Sequence, residues 1–235
     1  MNRTSLAVLT GRAFSLVGRH WIAFAAVAVI AIVAEWFVYR KSSIPEFFLP
    51  ANILISAIVD AIVLGIAKGD VDGWNPSQTW ERILERSWAV IIIAFVSWFV
   101  TVYGLQLLRF GGLLDRFFAI PILLIAASIV FAEAIAIAVD EEMWWFIIAR
   151  SLGTSIRTSW TGSTLARAIA IFALGLLPFN LAALIAAAVT HGDPTTPSFW
   201  TDVPLGIVWS IPLDVLTVLA YFDATGYEPK RTCGE

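Results

Sequence analysis

The sequence predicts an all-α, polytopic membrane protein: six transmembrane helices in three elbow-plus-hairpin units, forming a single integral membrane domain over residues 1–235. Three observations carry this expectation. Of the 235 residues, 59% are hydrophobic and 14% charged, against about 25% charged in an ordinary soluble domain, so charges are too few to coat a water-facing surface. Six stretches, at approximately 20–39, 46–67, 87–108, 117–139, 164–189 and 204–222, reach the roughly 20 apolar residues a spanning helix needs. These stretches lack the strict alternation of a barrel strand, and an open sheet cannot satisfy its edges in lipid.

The chain opens on a basic elbow, Gly11-Arg12-Ala-Phe-Ser-Leu-Val-Gly-Arg19-His20-Trp21, in which Leu9, Phe14, Leu16 and Val17 form an imperfect apolar stripe. The apolar run that follows is long enough to stay as an anchor, so the N-terminus reads as a membrane segment and not as a cleaved leader. A second elbow, Thr79 to Trp88, begins after Asn75-Pro76-Ser77, a capping signature ahead of a helix from Gln78 to Arg86. A third, Arg150 to Trp160, carries a stripe of Ile148, Leu152 and Ile156. Helices of this kind lie in the interface with arginines toward the headgroups. Arg12, Arg19, Arg82, Arg86, Arg150 and Arg157, with Trp21, Trp88 and Trp160, are the expected headgroup contacts. The first and third elbows share an Arg pair seven residues apart followed by Trp.

Basic residues set the expected orientation. With the N-terminus inside, the inner segments carry Arg3, Arg12, Arg19, Lys68, Arg82, Arg86, Arg150, Arg157, Arg167, Lys230 and Arg231, while the outer ones carry Arg40, Lys41, Arg109 and Arg116. That bias places both termini in the cytoplasm. The loop over 190–203, rich in Pro and Thr, reads as irregular.

Acidic residues inside the spans are the sharpest functional clue. A carboxyl at mid-membrane costs about 2.5–3.5 kcal/mol on insertion scales and faces a protein interior or a polar cavity. Asp60, Glu133 and Asp214 fall on the three return spans, whereas Glu35 lies nearer the outer boundary, where it can snorkel to water. Asn180 and Arg167 complete the candidate polar site, with Arg167 the expected partner of an acid. The functional reading has the acids converge to move protons, bind a cation or hold a polar substrate group; the alternative has each carboxyl protonated or bonded to a neighbour. Prolines 50, 121, 178 and 212 read as kinks or as sources of freed carbonyls. Asp140-Glu141-Glu142 reads as helix punctuation.

Several classes are disfavoured. A net charge of −3 offers no basic field for nucleic acid. A single cysteine, Cys233, allows neither an intrachain disulfide nor a thiolate cluster, and His20 and His191 are far apart, so neither a metal site nor a cofactor is expected. Catalytic signatures such as a phosphate-cradling loop, His-Glu-x-x-His or Gly-x-Ser-x-Gly are missing from the sequence.

Three stretches carry a resemblance to a known group: the elbow Arg12 to Trp21, the run from Phe131-Ala-Glu133 to Ala149-Arg150-Ser151-Leu152, and the exit Val218-Leu-Ala-Tyr221-Phe222-Asp223. The chain resembles six-span bacterial membrane proteins related to the membrane domain of glycerophosphodiester phosphodiesterases and to uncharacterised small inner-membrane proteins. The resemblance implies a fold and a bacterial inner membrane, and no hydrolytic site, because hydrolysis in that group belongs to a separate soluble barrel. The threefold two-span layout is also similar to that of mitochondrial carriers, but Pro212-Leu-Asp214 lacks the basic residue their signature requires. The leading expectation is therefore a non-enzymatic scaffold or accessory subunit that contacts membrane lipids and other membrane subunits. The alternative is a small carrier or lipid-handling transporter that uses its embedded carboxylates.

Overall fold

A computed structural model describes residues 4–41, 45–138, 144–161, 164–189 and 199–227, with side chains described for all of these except 41, 45–49, 144, 178–189 and 199–202. The described residues contain helices and turns and no strand. In chain order the helices are α1 (Leu6–Arg19), α2 (Trp21–Lys41), α3 (Pro45–Asp72), α4 (Pro76–Phe110), α5 (Leu113–Ser128), α6 (Ala132–Ala138), α7 (Trp144–Ser159), α8 (Thr164–Val189) and α9 (Phe199–Thr225). Five segments, Trp21–Arg40, Pro50–Asp72, Pro76–Phe110, Leu113–Ala138 and Val203–Thr225, are long and apolar enough to cross a membrane. A sixth exists if α7 and the start of α8, bent by 113°, count as one span. The exterior of α2 presents Ile22, Val29, Ile30 and Phe37, each more than half exposed. Such a continuous apolar surface fits a membrane-embedded protein.

The long helices close into a ring. α2 packs on α3, α3 on α4, α4 on α5, α5 on α8, α8 on α9, and α9 back on α2, with α3 also touching α9 and α6. Close approach is built into the α3–α4 seam, where a methyl on Gly65 would overlap the Ile83 side chain. Of the other helices, α1 packs on α9 and α7 on α6.

Local chemistry explains the boundaries. Ser5 caps α1 by accepting from the Val8 N–H. α1 buries Leu9, Ala13 and Leu16, one helical face at i, i+4, i+7. Phe14, expected on that stripe, is instead exposed, because the 3.6-residue period puts Ala13 on the inner face and rotates Phe14 off it. α3 ends at Gly73, whose φ of 71° lies in the left-handed region that favours glycine. The chain then re-enters helix through a reciprocal capping box, Asn75 with Gln78.

Three expectations need correction. The second elbow is not a separate interfacial helix. The capped segment from Pro76 runs without interruption to Phe110 as one helix of 35 residues, since nothing between Arg86 and Ala89 stops it. The fourth span, by contrast, is broken, and not at a proline: Pro121 lies inside α5, while the break falls at Ile129–Phe131. There Ser128 Oγ bonds back to the Leu124 carbonyl at 2.7 Å, and the following amides turn to tighter acceptors, Val130 N to Ala127 O and Ala132 N to Ile129 O. A serine bonding i−4 in this way competes with the regular ladder. The third correction concerns α7. Ile147 is buried, but Ile156 of the expected stripe is 40% exposed, and the inner face is Ser151, Ser155 and Ser159, all fully buried. The acidic run 140–142, the loop over 190–198 and the C-terminal Lys230, Arg231 and Cys233 lie outside the described residues, as does Arg3.

Candidate functional site: carboxyls around a central cavity

The broken span is what carries Glu133 to the ring interior. The freed Ser128 carbonyl accepts from Ser155 Oγ at 2.9 Å and Ser159 Oγ at 3.0 Å. Ser155 Oγ also accepts from the Phe131 N–H at 3.1 Å, and the Trp160 indole N–H donates to Ser128 Oγ at 2.8 Å. The serines of α7 therefore replace the helix bonds lost at the break, as a broken backbone within a membrane requires. Two residues beyond Phe131, Glu133 stands in the first turn of α6.

Asp60 from α3, Glu133 from α6 and Asp214 from α9 line one cavity of about 300 Å³, together with Ser97, Trp98 and Thr101 of α4. The Asp60, Glu133 and Asp214 carboxyls lie close enough to influence one another electrostatically. Oδ2 of Asp214 is buried without a hydrogen-bond partner. Among the described residues no three His, Cys, Asp or Glu side chains are arranged to hold a metal ion.

The other expected site residues are placed differently. Arg167 does not meet these acids. It bonds Asp223 at 2.6 Å and the Thr4 carbonyl at 2.5 Å, tying the starts of α8 and α1 to the end of α9. Arg167 is one helix turn into α8, where its guanidinium is taken up by the Asp223 carboxylate near the end of α9. Asn180 belongs to α8, but its side chain lies outside the described residues. Glu35 does not snorkel to water. It is 1% exposed, because α9 and α3 both pack against α2 and cover it.

The expected headgroup residues divide. Arg12, Arg150, Arg157, Trp21 and Trp160 are exposed, as is Arg19, which pairs with Asp70 at 2.9 Å beside His20. Arg82 and Arg86 turn inward: Arg86 is 7% exposed, and Arg82 Nε donates to the Ile137 carbonyl at 3.1 Å near the end of α6. Trp88 is half-buried against the core. The inward turn follows from the continuity of α4, which brings its first turns against α3 and α6.

Sequence reasoning missed a buried ammonium. Lys68 is 3% exposed and pairs with Asp72, donates to the Tyr227 hydroxyl at 2.6 Å, and sits 4.2–5.3 Å from the ring centres of Tyr227, Phe222 and Trp74. The signal was present as Lys68 and Asp72 one helical turn apart, a favourable spacing for opposite charges. The serine ladder of α7 was likewise legible as Ser151, Ser155 and Ser159 at four-residue intervals.

Comparison with family models, with curated proteins and with solved structures finds no match to this chain.

Proposed function

We propose that this protein is a small membrane carrier in which Asp60, Glu133 and Asp214 form a shared proton- or cation-exchanging site. One observation carries the reading: Asp60, Glu133 and Asp214, from three different segments, line the wall of a single cavity. Burying three carboxyls in the hydrocarbon region costs several kcal/mol, and a scaffold has no use for such a cost. Cavities lined this way mark ion and proton routes in membrane proteins. The scaffold or accessory-subunit expectation is the rival reading, in which the acids are dispensable.

The reading includes a threefold layout. Asp60, Glu133 and Asp214 recur on successive return spans. In each unit a basic residue near the start of the outgoing helix reaches the end of the return helix: Arg19 to Asp70, Arg82 to the Ile137 carbonyl, Arg167 to Asp223. α1 seated on α9 and α7 seated on α6 repeat one relation around the ring. Same-direction repeats put the pseudo-symmetry axis along the membrane normal and the site at their interface. The basic end of the bundle then faces the cytoplasm of a bacterial inner membrane, with both termini there, and Arg12, Arg150 and Arg157 meet lipid headgroups.

The test is proton flux in liposomes containing the purified protein. The carrier reading expects flux in the native protein and at least a tenfold loss in Asp214→Asn with an unchanged melting temperature. Native flux at the background of empty liposomes, with Asp60→Asn, Glu133→Gln and Asp214→Asn all indistinguishable from native, would favour the scaffold.

A further inference from the structure

A second chamber adjoins the first. It is a partly open pocket of about 210 Å³ lined by Glu35 of α2, Asn52, Ser56 and Asp60 of α3, and Trp209 and Ser210 of α9, with Val203, Gly206 and Ile207 as apolar wall. Asp60 and Ser210 border both spaces. Neither oxygen of the Glu35 carboxyl has a hydrogen-bond partner, although the residue is 1% exposed. An unpaired buried carboxyl is costly and calls for a compensating donor.

Among the described residues the wall has few donors to offer it. The Trp209 indole N–H is spent on the Leu174 carbonyl at 2.9 Å. The Ser210 hydroxyl donates to the Ile207 carbonyl at 3.1 Å, and Ser56 Oγ reaches Asn52 Oδ1 at 3.5 Å. Among the described lining residues that leaves the Asn52 amide as the remaining side-chain donor against the carboxyl oxygens of Glu35 and Asp60. The chamber is thus rich in acceptors, poor in donors and otherwise apolar, with an indole in its wall. A ligand complementary to it brings donors and positive charge on a compact apolar body. An ammonium group fits, since it has three donors and no acceptor, as in lysine, and an indole adds attraction for a cation.

We propose that this chamber binds a small protonated amine, with the Glu35 carboxylate as its anionic partner and the Trp209 side with Val203 and Ile207 holding its apolar body. The inference rests on the carrier reading, for which it names the substrate class: Asp60, shared by the two spaces, couples amine in one to proton in the other.

The probe is benzylammonium, added to the purified protein in mild detergent at pH 7 and followed by calorimetry. Benzyl alcohol serves as the neutral isostere and sodium or potassium chloride as bare cations. Saturable benzylammonium binding is expected, with at least a tenfold preference over benzyl alcohol, at least tenfold weakening in Glu35→Gln and partial recovery in Glu35→Asp. Gly206→Leu gives a second variant independent of the charge. Gly206 lines the space and a Cβ there meets nothing within 4 Å, so a leucine takes up room in it, and binding is expected to vanish while the melting temperature holds. Absent benzylammonium binding, equal binding of the alcohol, a response to sodium or potassium in its place, or binding unchanged in both variants would each overturn the inference. Amine binding without proton flux would sink the carrier reading alone, and proton flux without amine binding would sink the amine site alone.

Discussion

Replacing Ser155 with alanine tests whether α7 sustains the broken span. Ser155 Oγ makes two bonds at the break, accepting from the Phe131 N–H at 3.1 Å and donating to the Ser128 carbonyl at 2.9 Å. Its removal leaves the buried Phe131 amide without a partner, whereas the Ser128 carbonyl keeps Ser159 at 3.0 Å. An orphaned buried donor costs about 1–3 kcal/mol. Ser159→Ala removes one neutral bond to a carbonyl that Ser155 still serves, a loss of about 1 kcal/mol. In a chain of this size 1 kcal/mol moves the melting temperature by about 2–4 °C. Taking about 2 kcal/mol, the middle of that range, thermal unfolding in mild detergent, followed by tryptophan fluorescence, is expected to show Ser155→Ala lower by about 4–8 °C and Ser159→Ala by about half as much. Because the break sets the position of Glu133, Ser155→Ala is also expected to reduce proton flux. Equal shifts for the two variants, or none for Ser155→Ala, would refute the argument that α7 replaces the missing helix bonds.

Other perturbations have equally definite outcomes. Arg167→Gln breaks a half-buried ion pair with Asp223 and the tie to Thr4. It is expected to cost about 1–3 kcal/mol, and a thermodynamic cycle with Asp223→Asn should show the double variant less destabilised than the sum of the singles. Lys68→Met removes the cation paired with the Asp72 carboxylate, which is 3% exposed and, among the described residues, keeps only the Tyr227 hydroxyl at 3.1 Å. A broken buried pair costs about 3–5 kcal/mol, visible as a large drop in detergent melting temperature that the double variant with Asp72→Asn partly restores. Gly65→Ala forces Ile83 to move at the α3–α4 seam, with an overpacking cost of about 1–3 kcal/mol. Gly206→Ala meets open space and should leave the melting temperature unchanged in the same assay.

Much of the architecture was legible in apolar run length, because a helix in lipid satisfies its own backbone and needs little from its neighbours to be recognised. A capping residue in Asn75-Pro76-Ser77 was legible for the same local reason, though the reciprocal bond from Gln78 was not. What escaped was tertiary. Whether the segment from Pro76 joins the following span depends on the absence of a stop signal, and amphipathic spacing alone suggested a boundary that the helix ignores. The break at Ile129–Phe131 depends on Ser155 and Ser159, which approach it only after the chain has folded back. The acids were identifiable because charge is rare in these spans. Their convergence on one wall, the burial of Glu35 and the capture of Arg167 by Asp223 depend on how the helices close into a ring, which one-dimensional periodicity does not encode.

Convergence of α3 and α9 at Asp60 and Asp214 is the claim beneath all of this, and chemical crosslinking reads it directly. In a Cys233→Ser background, Asp60→Cys and Asp214→Cys are introduced together and treated with a short bis-methanethiosulfonate, and the products are mapped by mass spectrometry. The account predicts a single bridging linker joining the two positions, and two separately capped thiols when Asp60→Cys is combined with Asp223→Cys. Two separate caps in the first pair, or a bridge in the second, would contradict it.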